Sequence, residues 1–158
     1  IPWHGPVVSG MAVTVILFGS ALTQIVCARI AVHWCGFFGL LALVASNALL
    51  LVNVWNSSAI VFASGVILTA MGHGMCQLTG IGMVSRLATA DTRAGLFSSY
   101  LVVGYVGTML PIMGMGWIAD HWGMEAALYT FCGSVMVIAT VVAFLFQRHP
   151  RMRGQELS

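Results

Sequence analysis

The chain has 158 residues, of which 59% are apolar and only 6% are charged, and its formal net charge is +2. A soluble domain carries about a quarter charged residues, so these few charges cannot cover a water-facing surface. We therefore predict an integral membrane protein. The basic residues are six scattered arginines, which excludes the basic stripe of a nucleic-acid-binding protein.

Five apolar segments are long enough to cross a bilayer, since a crossing helix needs roughly 20 mainly apolar residues. Their expected bounds are about residues 6–28, 34–53, 59–83, 95–119 and 125–146. Asn53–Ser58 and Asp120–Gly123 supply turn formers between helices, and Asp91–Thr92 supplies an N-cap for the fourth helix. We predict an all-α polytopic bundle over residues 1–147, followed by a tail over 148–158.

The arginines predict the orientation of the chain in the membrane. With five crossings, every arginine falls on one side: Arg29, Arg86, Arg93, Arg148, Arg151 and Arg153. The positive-inside rule makes that side cytoplasmic, so we expect a cytoplasmic C-terminus in the inner membrane. The first helix then starts outside. Because the chain begins at Ile1 without a charged leader segment, we expect that N-terminal helices of the same protein are missing.

Polar residues follow one face of the third helix. Thr69, His73 and Gln77, here called the polar stripe, recur every four residues and span an arc of about 80°. A polar stripe in hydrocarbon is costly and normally faces protein or water. It can be the wall of a cavity that contacts substrate or protons. It can equally be helix glue, since an interhelical hydrogen bond contributes about 1 kcal/mol.

One face of the fourth helix is lined by small residues. It comprises Tyr100, Gly104, Gly107, Pro111 and Gly114. Glycine allows another helix to approach closely, and proline removes a backbone hydrogen bond and favours a kink. Tight packing and a gating movement are both compatible with this pattern. Asp120, at the outer end of the same helix, is either a solvated helix-end acid or a latch partner.

Motifs for chemistry are lacking in the sequence. It contains no GxSxG, HExxH, Walker loop or paired carboxylates in one span. The four cysteines form no CxxC pair, and the His/Cys pairs near residues 33–35 and 73–76 lack further ligands. We predict neither an enzyme nor a bound metal or cofactor.

The fourth helix and its flanks contain a series of short motifs: Arg93-Ala-Gly95, Ser98-Ser99-Tyr100, Gly104-Tyr105-x-Gly107, Pro111, Gly114 and Ala119-Asp120-x-x-Gly123. This series resembles the tenth-to-twelfth helix region of major facilitator superfamily transporters. It implies that the five helices are helices eight to twelve of twelve, with the third and fourth lining the cavity or the interface between halves. The loop after the first helix departs from the family's signature: Arg29 and Gly36 are present, but the acid is missing.

The resemblance also implies a function. The chain is expected to be part of a secondary active transporter that moves a small solute by alternating access, coupled to protons, with the polar stripe and Tyr100 in the pathway. The alternative is a membrane sensor or interaction protein that keeps the fold without transport. Titratable groups in the missing half that face His73 would distinguish the two. The expected partners are the solute, protons, the lipid bilayer and the missing helices.

Overall fold

The computed structural model describes residues 6–148, and in this part of the chain every regular element is an α-helix, without strands. Five helices follow one another: α1 (Pro6–Cys27), α2 (Val32–Asn56), α3 (Ala59–Leu87), α4 (Arg93–Trp122) and α5 (Met124–Arg148). Each is long and apolar enough to cross a membrane, with a mean hydropathy of 1.6 to 2.2. The predicted all-α membrane bundle is confirmed. Most of the predicted tail, residues 149–158, lies outside the described residues.

Several helices run further than the sequence indicated. α4 begins at Arg93 and continues past Asp120 to Trp122, and α3 reaches Leu87. A helix satisfies its own backbone hydrogen bonds, so it need not end where the apolar segment ends. The predicted break before α5 is confined to Gly123, whose φ of 89° is a conformation that favours glycine.

Thr92 lies at the predicted N-cap position of α4, but its side chain does not make the hydrogen bond of an N-cap. Its hydroxyl oxygen instead accepts a hydrogen bond from the backbone N–H of Thr89, at 3.1 Å. The threonine therefore stabilises the preceding turn rather than the helix end.

The polar turn between α2 and α3 is shorter than predicted. Asn53 lies within α2, and its side-chain oxygen accepts a hydrogen bond from the Ser58 N–H at 2.9 Å. Ser57 reverses the chain in the left-handed region, with φ 46° and ψ 36°. An asparagine inside the helix thus holds the turn that follows it.

α3 lies at the centre of the described bundle. It packs on α2 along one side and on α1 along another, while α2 also packs on α5. α4 packs mainly on α5 and makes only slight contact with α3. Consequently α4 stands at the edge of the described part, and none of its side chains is buried there.

The helix pairs at the centre approach each other through glycine. A Cβ atom placed on Gly72 would lie 2.9 Å from the carbonyl oxygen of Gly39 on α2. One placed on Gly74 would lie 2.5 Å from the carbonyl oxygen of Ser20 on α1, and one on Gly19 2.9 Å from Ala70 Cβ. We call Gly19, Ser20, Ala70 and Gly74 the α1–α3 seam. Here two helices are in backbone contact.

Candidate functional site

The polar stripe lies on α3 between the face that packs on α1 and the face that packs on α2. On the α1 side α3 presents Ala70 and Gly74, and on the α2 side it presents Gly72 and Thr79. At about 100° per residue, the arc of the stripe falls between these two sides. The stripe is therefore directed at the space between α3 and α4, where the two helices are in only slight contact.

His73 lies in the middle of the stripe and is anchored on one side only. Its Nδ1 atom is 2.9 Å from Ser20 Oγ on α1, within hydrogen-bond distance. Ser20 is buried, with 3% of its surface exposed, whereas His73 is exposed within the described part. The imidazole thus links α1 to α3 through one nitrogen and leaves the rest of the ring open.

The other two members of the stripe make no hydrogen bond to another helix within residues 6–148. Thr69 is half-buried and donates its hydroxyl hydrogen to the Gly65 carbonyl of its own helix, at 2.9 Å. Gln77 is half-buried as well, and no side chain or backbone group of residues 6–148 hydrogen-bonds to its amide. The amide keeps its capacity to donate and accept hydrogen bonds on the open side.

Tyr100 reaches the same arc of α3 from α4. Its ring lies 3.0 Å from the position that a Cβ atom on Gly80 would occupy. Gly80 is one turn beyond Gln77 and falls within the arc of the stripe. Tyr100 thus lies against α3 at Gly80, where a glycine leaves space for the ring.

The remaining small-residue positions of α4 have varied surroundings. Within residues 6–148, no atom lies within 4 Å of a Cβ position built on Gly104, Gly107 or Gly114. Pro111 and Gly114 line a hollow of about 160 Å³ against α5. Asp120 is exposed near the C-terminal end of the helix. The described helices thus leave most of this face uncovered.

The sequence did not single out Ser20 as a site residue. Serine and threonine in a membrane helix ordinarily bond to a carbonyl of their own helix, and Thr14 and Thr23 on α1 do so, to Gly10 and Gly19. The contact between Ser20 and His73 depends on the packing of α1 on α3. A single sequence carries no signal for that packing beyond the glycines at residues 19 and 74.

Comparison with known proteins agrees with this architecture. The family model of the Major Facilitator Superfamily matches residues 4–158. A chloramphenicol resistance protein of Pseudomonas aeruginosa is 35% identical over 121 residues, which cover 73% of this chain and 26% of that protein. The chain thus spans about a quarter of the length of this curated relative. No solved structure matches it.

The family match extends over nearly the whole chain. The described residues form five helices that are long and apolar enough to cross a membrane. This integral membrane chain belongs to the Major Facilitator Superfamily of transporters.

Proposed function

We propose that this chain is part of a secondary active transporter that moves a small, uncharged amphipathic solute by alternating access, coupled to protons. The polar stripe and Tyr100 form its contribution to the pathway. The observation that carries the proposal is the placement of His73, which is held by Ser20 on one side and exposed on the other. It lies on the arc of α3 that Tyr100 of α4 reaches at Gly80.

The helix-glue interpretation accounts for only one contact of the stripe. His73 bonds to α1 through a single nitrogen, Thr69 bonds to its own helix, and the Gln77 amide is unengaged in the described part. Polar groups left in hydrocarbon are costly. Water or a solute in a cavity would satisfy them, and such a cavity is what an alternating-access site at the middle of the membrane requires.

The chemistry of the stripe favours an uncharged solute. α1, α2 and α3 contain no aspartate or glutamate between residues 6 and 87, and Arg29 and Arg86 lie in or beside the loops. The groups that remain are a hydroxyl, an amide, an imidazole and a phenol, all capable of hydrogen bonding. Because a relative at 35% identity is named for chloramphenicol resistance, chloramphenicol is the test solute and export the proposed direction.

We propose that further helices of the same protein cover α4 and complete the pathway. α4 has 30 residues and no buried side chain among the described residues. Open glycine positions on this helix, such as Gly104 and Gly107, would let another helix approach closely. The curated relative is also about four times longer than the segment it shares with this chain.

The test of the function is chloramphenicol export by the full-length transporter in cells without other exporters of that drug. If Gln77 hydrogen-bonds the solute equally in the bound and transition states, Gln77→Leu raises the apparent KM several-fold and leaves the maximal rate unchanged. Gln24→Leu, a half-buried glutamine on α1 outside the stripe, is the matched control. A full-length protein that exports nothing would overturn the proposal and favour the sensor alternative.

The proposed orientation places Arg29, Arg86 and Arg93 at the cytoplasmic face. A cysteine introduced at Thr89, an exposed residue between α3 and α4, should then resist a membrane-impermeant thiol reagent applied to intact cells. Asn56→Cys, at the exposed C-terminal end of α2 and beside the opposite end of the bundle, should react. The parent protein with its native cysteines gives the background. Labelling at residue 89 but not at residue 56 would reverse the orientation.

A further inference from the structure

The hydrogen bond between Ser20 and His73 is built into the closest approach of two helices. Gly74 follows His73 in the chain, and a Cβ atom on it would lie 2.5 Å from the Ser20 carbonyl oxygen and 3.0 Å from Thr23 Cβ. Only a residue without a side chain permits this distance. The glycine thus lets the α1 backbone approach α3 closely. This approach places Ser20 Oγ 2.9 Å from His73 Nδ1.

The direction of this hydrogen bond follows from counting donors and acceptors. A neutral imidazole has one N–H donor and one acceptor nitrogen. If Nδ1 carried the proton, it would donate to Ser20 Oγ, and the hydroxyl hydrogen of Ser20 would need another acceptor. Within residues 6–148, Ser20 makes its side-chain hydrogen bond to His73 and to no other group. Since an unsatisfied buried hydroxyl is costly, Ser20 donates to Nδ1.

No acid is available to orient the ring instead. A carboxylate or a backbone carbonyl commonly fixes the tautomer of a functional histidine, but α1, α2 and α3 carry no aspartate or glutamate among the described residues. The uncharged titratable groups on these three helices, besides His73, are Cys27 on α1, His33 and Cys35 on α2, and Cys76 on α3. α4 carries Tyr100, Tyr105, Asp120 and His121. Of these four, Tyr100 lies against α3, at Gly80. The Ser20 hydroxyl is the group that contacts the ring.

We propose that Ser20 is a positioning residue that holds neutral His73 with its proton on Nε2, so that the imidazole presents an N–H donor to the pathway. The inference rests on the proposed function of the polar stripe. It specifies the solute further: the solute carries an acceptor oxygen, such as a carbonyl, nitro or hydroxyl oxygen, that accepts the hydrogen bond from Nε2. Ser20 itself does not touch the solute.

The tautomer is tested without any transport measurement. ¹⁵N NMR of the full-length transporter, labelled at histidine and reconstituted in lipid at pH 8, distinguishes protonated from unprotonated ring nitrogens, and His73→Gln identifies the signals of His73. We expect unprotonated Nδ1 in the wild type and a mixture of tautomers in Ser20→Ala. Ser46→Ala is the matched control, because Ser46 is equally buried but bonds to Leu43 O of its own helix.

The consequence for transport is tested in the same variants. Ser20→Ala should raise the apparent KM for chloramphenicol about three- to tenfold, the range expected for one neutral hydrogen bond, and Ser46→Ala should leave it unchanged. In a His73→Gln background Ser20→Ala should add less than about twofold, because the two residues act through one contact.

Two results would overturn the inference: a proton on Nδ1 in the wild type, or a KM effect of Ser20→Ala that is as large in the His73→Gln background as in the wild type. A wild-type transporter that exports no chloramphenicol would refute the proposed function instead, and the NMR result would still decide the tautomer. Thermal denaturation of each variant separates these outcomes from misfolding.

Discussion

Gly74→Ala is expected to destabilise the full-length transporter by about 1–3 kcal/mol, the typical cost of an overpacked site. The added methyl group would lie 2.5 Å from the Ser20 carbonyl oxygen. Backbone atoms cannot rotate away as a flexible side chain can, so the two helices must separate. Thermal denaturation of the purified protein measures the loss, which should appear as a lower midpoint temperature.

The matched control for Gly74→Ala is Gly133→Ala on α5. A Cβ atom at Gly133 meets no described atom within 4 Å, and alanine is the better helix former. Its midpoint temperature should stay at or slightly above that of the wild type. Equal midpoints for the two variants would mean that the α1–α3 seam is looser than described.

His73→Gln is expected to remove most of the pH dependence of transport between about pH 5 and 8, the range in which imidazoles ordinarily change charge. Glutamine keeps hydrogen-bonding groups in the same place but cannot take up a proton in this range. The thiols and the phenol around His73 ordinarily ionise at higher pH, and His33 lies at the N-terminal end of α2. Initial rates measured across this range in wild type and variant test the prediction.

His121→Gln is the matched control for that measurement. His121 lies near the C-terminal end of α4, where its Nδ1 atom is 2.9 Å from the Trp117 carbonyl oxygen, and it is not part of the stripe. Its pH profile should match that of the wild type. A wild-type profile in His73→Gln would remove His73 from proton coupling and leave it the role of helix glue.

Hydropathy alone was sufficient to predict the five helices, because long apolar segments without charge have few other structures available in lipid. Helix ends were harder to place. From the sequence, Asp120 is predicted to lie in the break between the fourth and fifth helices, whereas the backbone of α4 remains helical to Trp122. Thr92 resembles an N-cap, yet its hydroxyl bonds to the preceding turn. Such choices depend on local geometry that residue type does not determine.

The contacts of each glycine could not be predicted from the sequence either. Gly74 and Gly107 both lie in apolar helices among other small residues. In the fold, Gly74 touches the backbone of α1, and no described atom approaches the Cβ position of Gly107. The same reasoning explains why the stripe on α3 was predicted while its partner Ser20 was not. Periodicity reveals which residues share a face, and only the arrangement of helices reveals what that face meets.

The α1–α3 seam also has a consequence for how the protein can move. At Gly74 the backbones of α3 and α1 are in contact, and at Gly19 only the Ala70 methyl group lies against the α1 backbone. An interface packed this closely resists sliding, because a displacement makes atoms of the two helices collide. α1 and α3 are therefore expected to travel as one rigid body, with α2 joined to them through Gly39 and Gly72. α4 meets α3 only slightly. In the proposed alternating-access movement, the displacement would fall between α3 and α4, where the Tyr100 ring lies against Gly80.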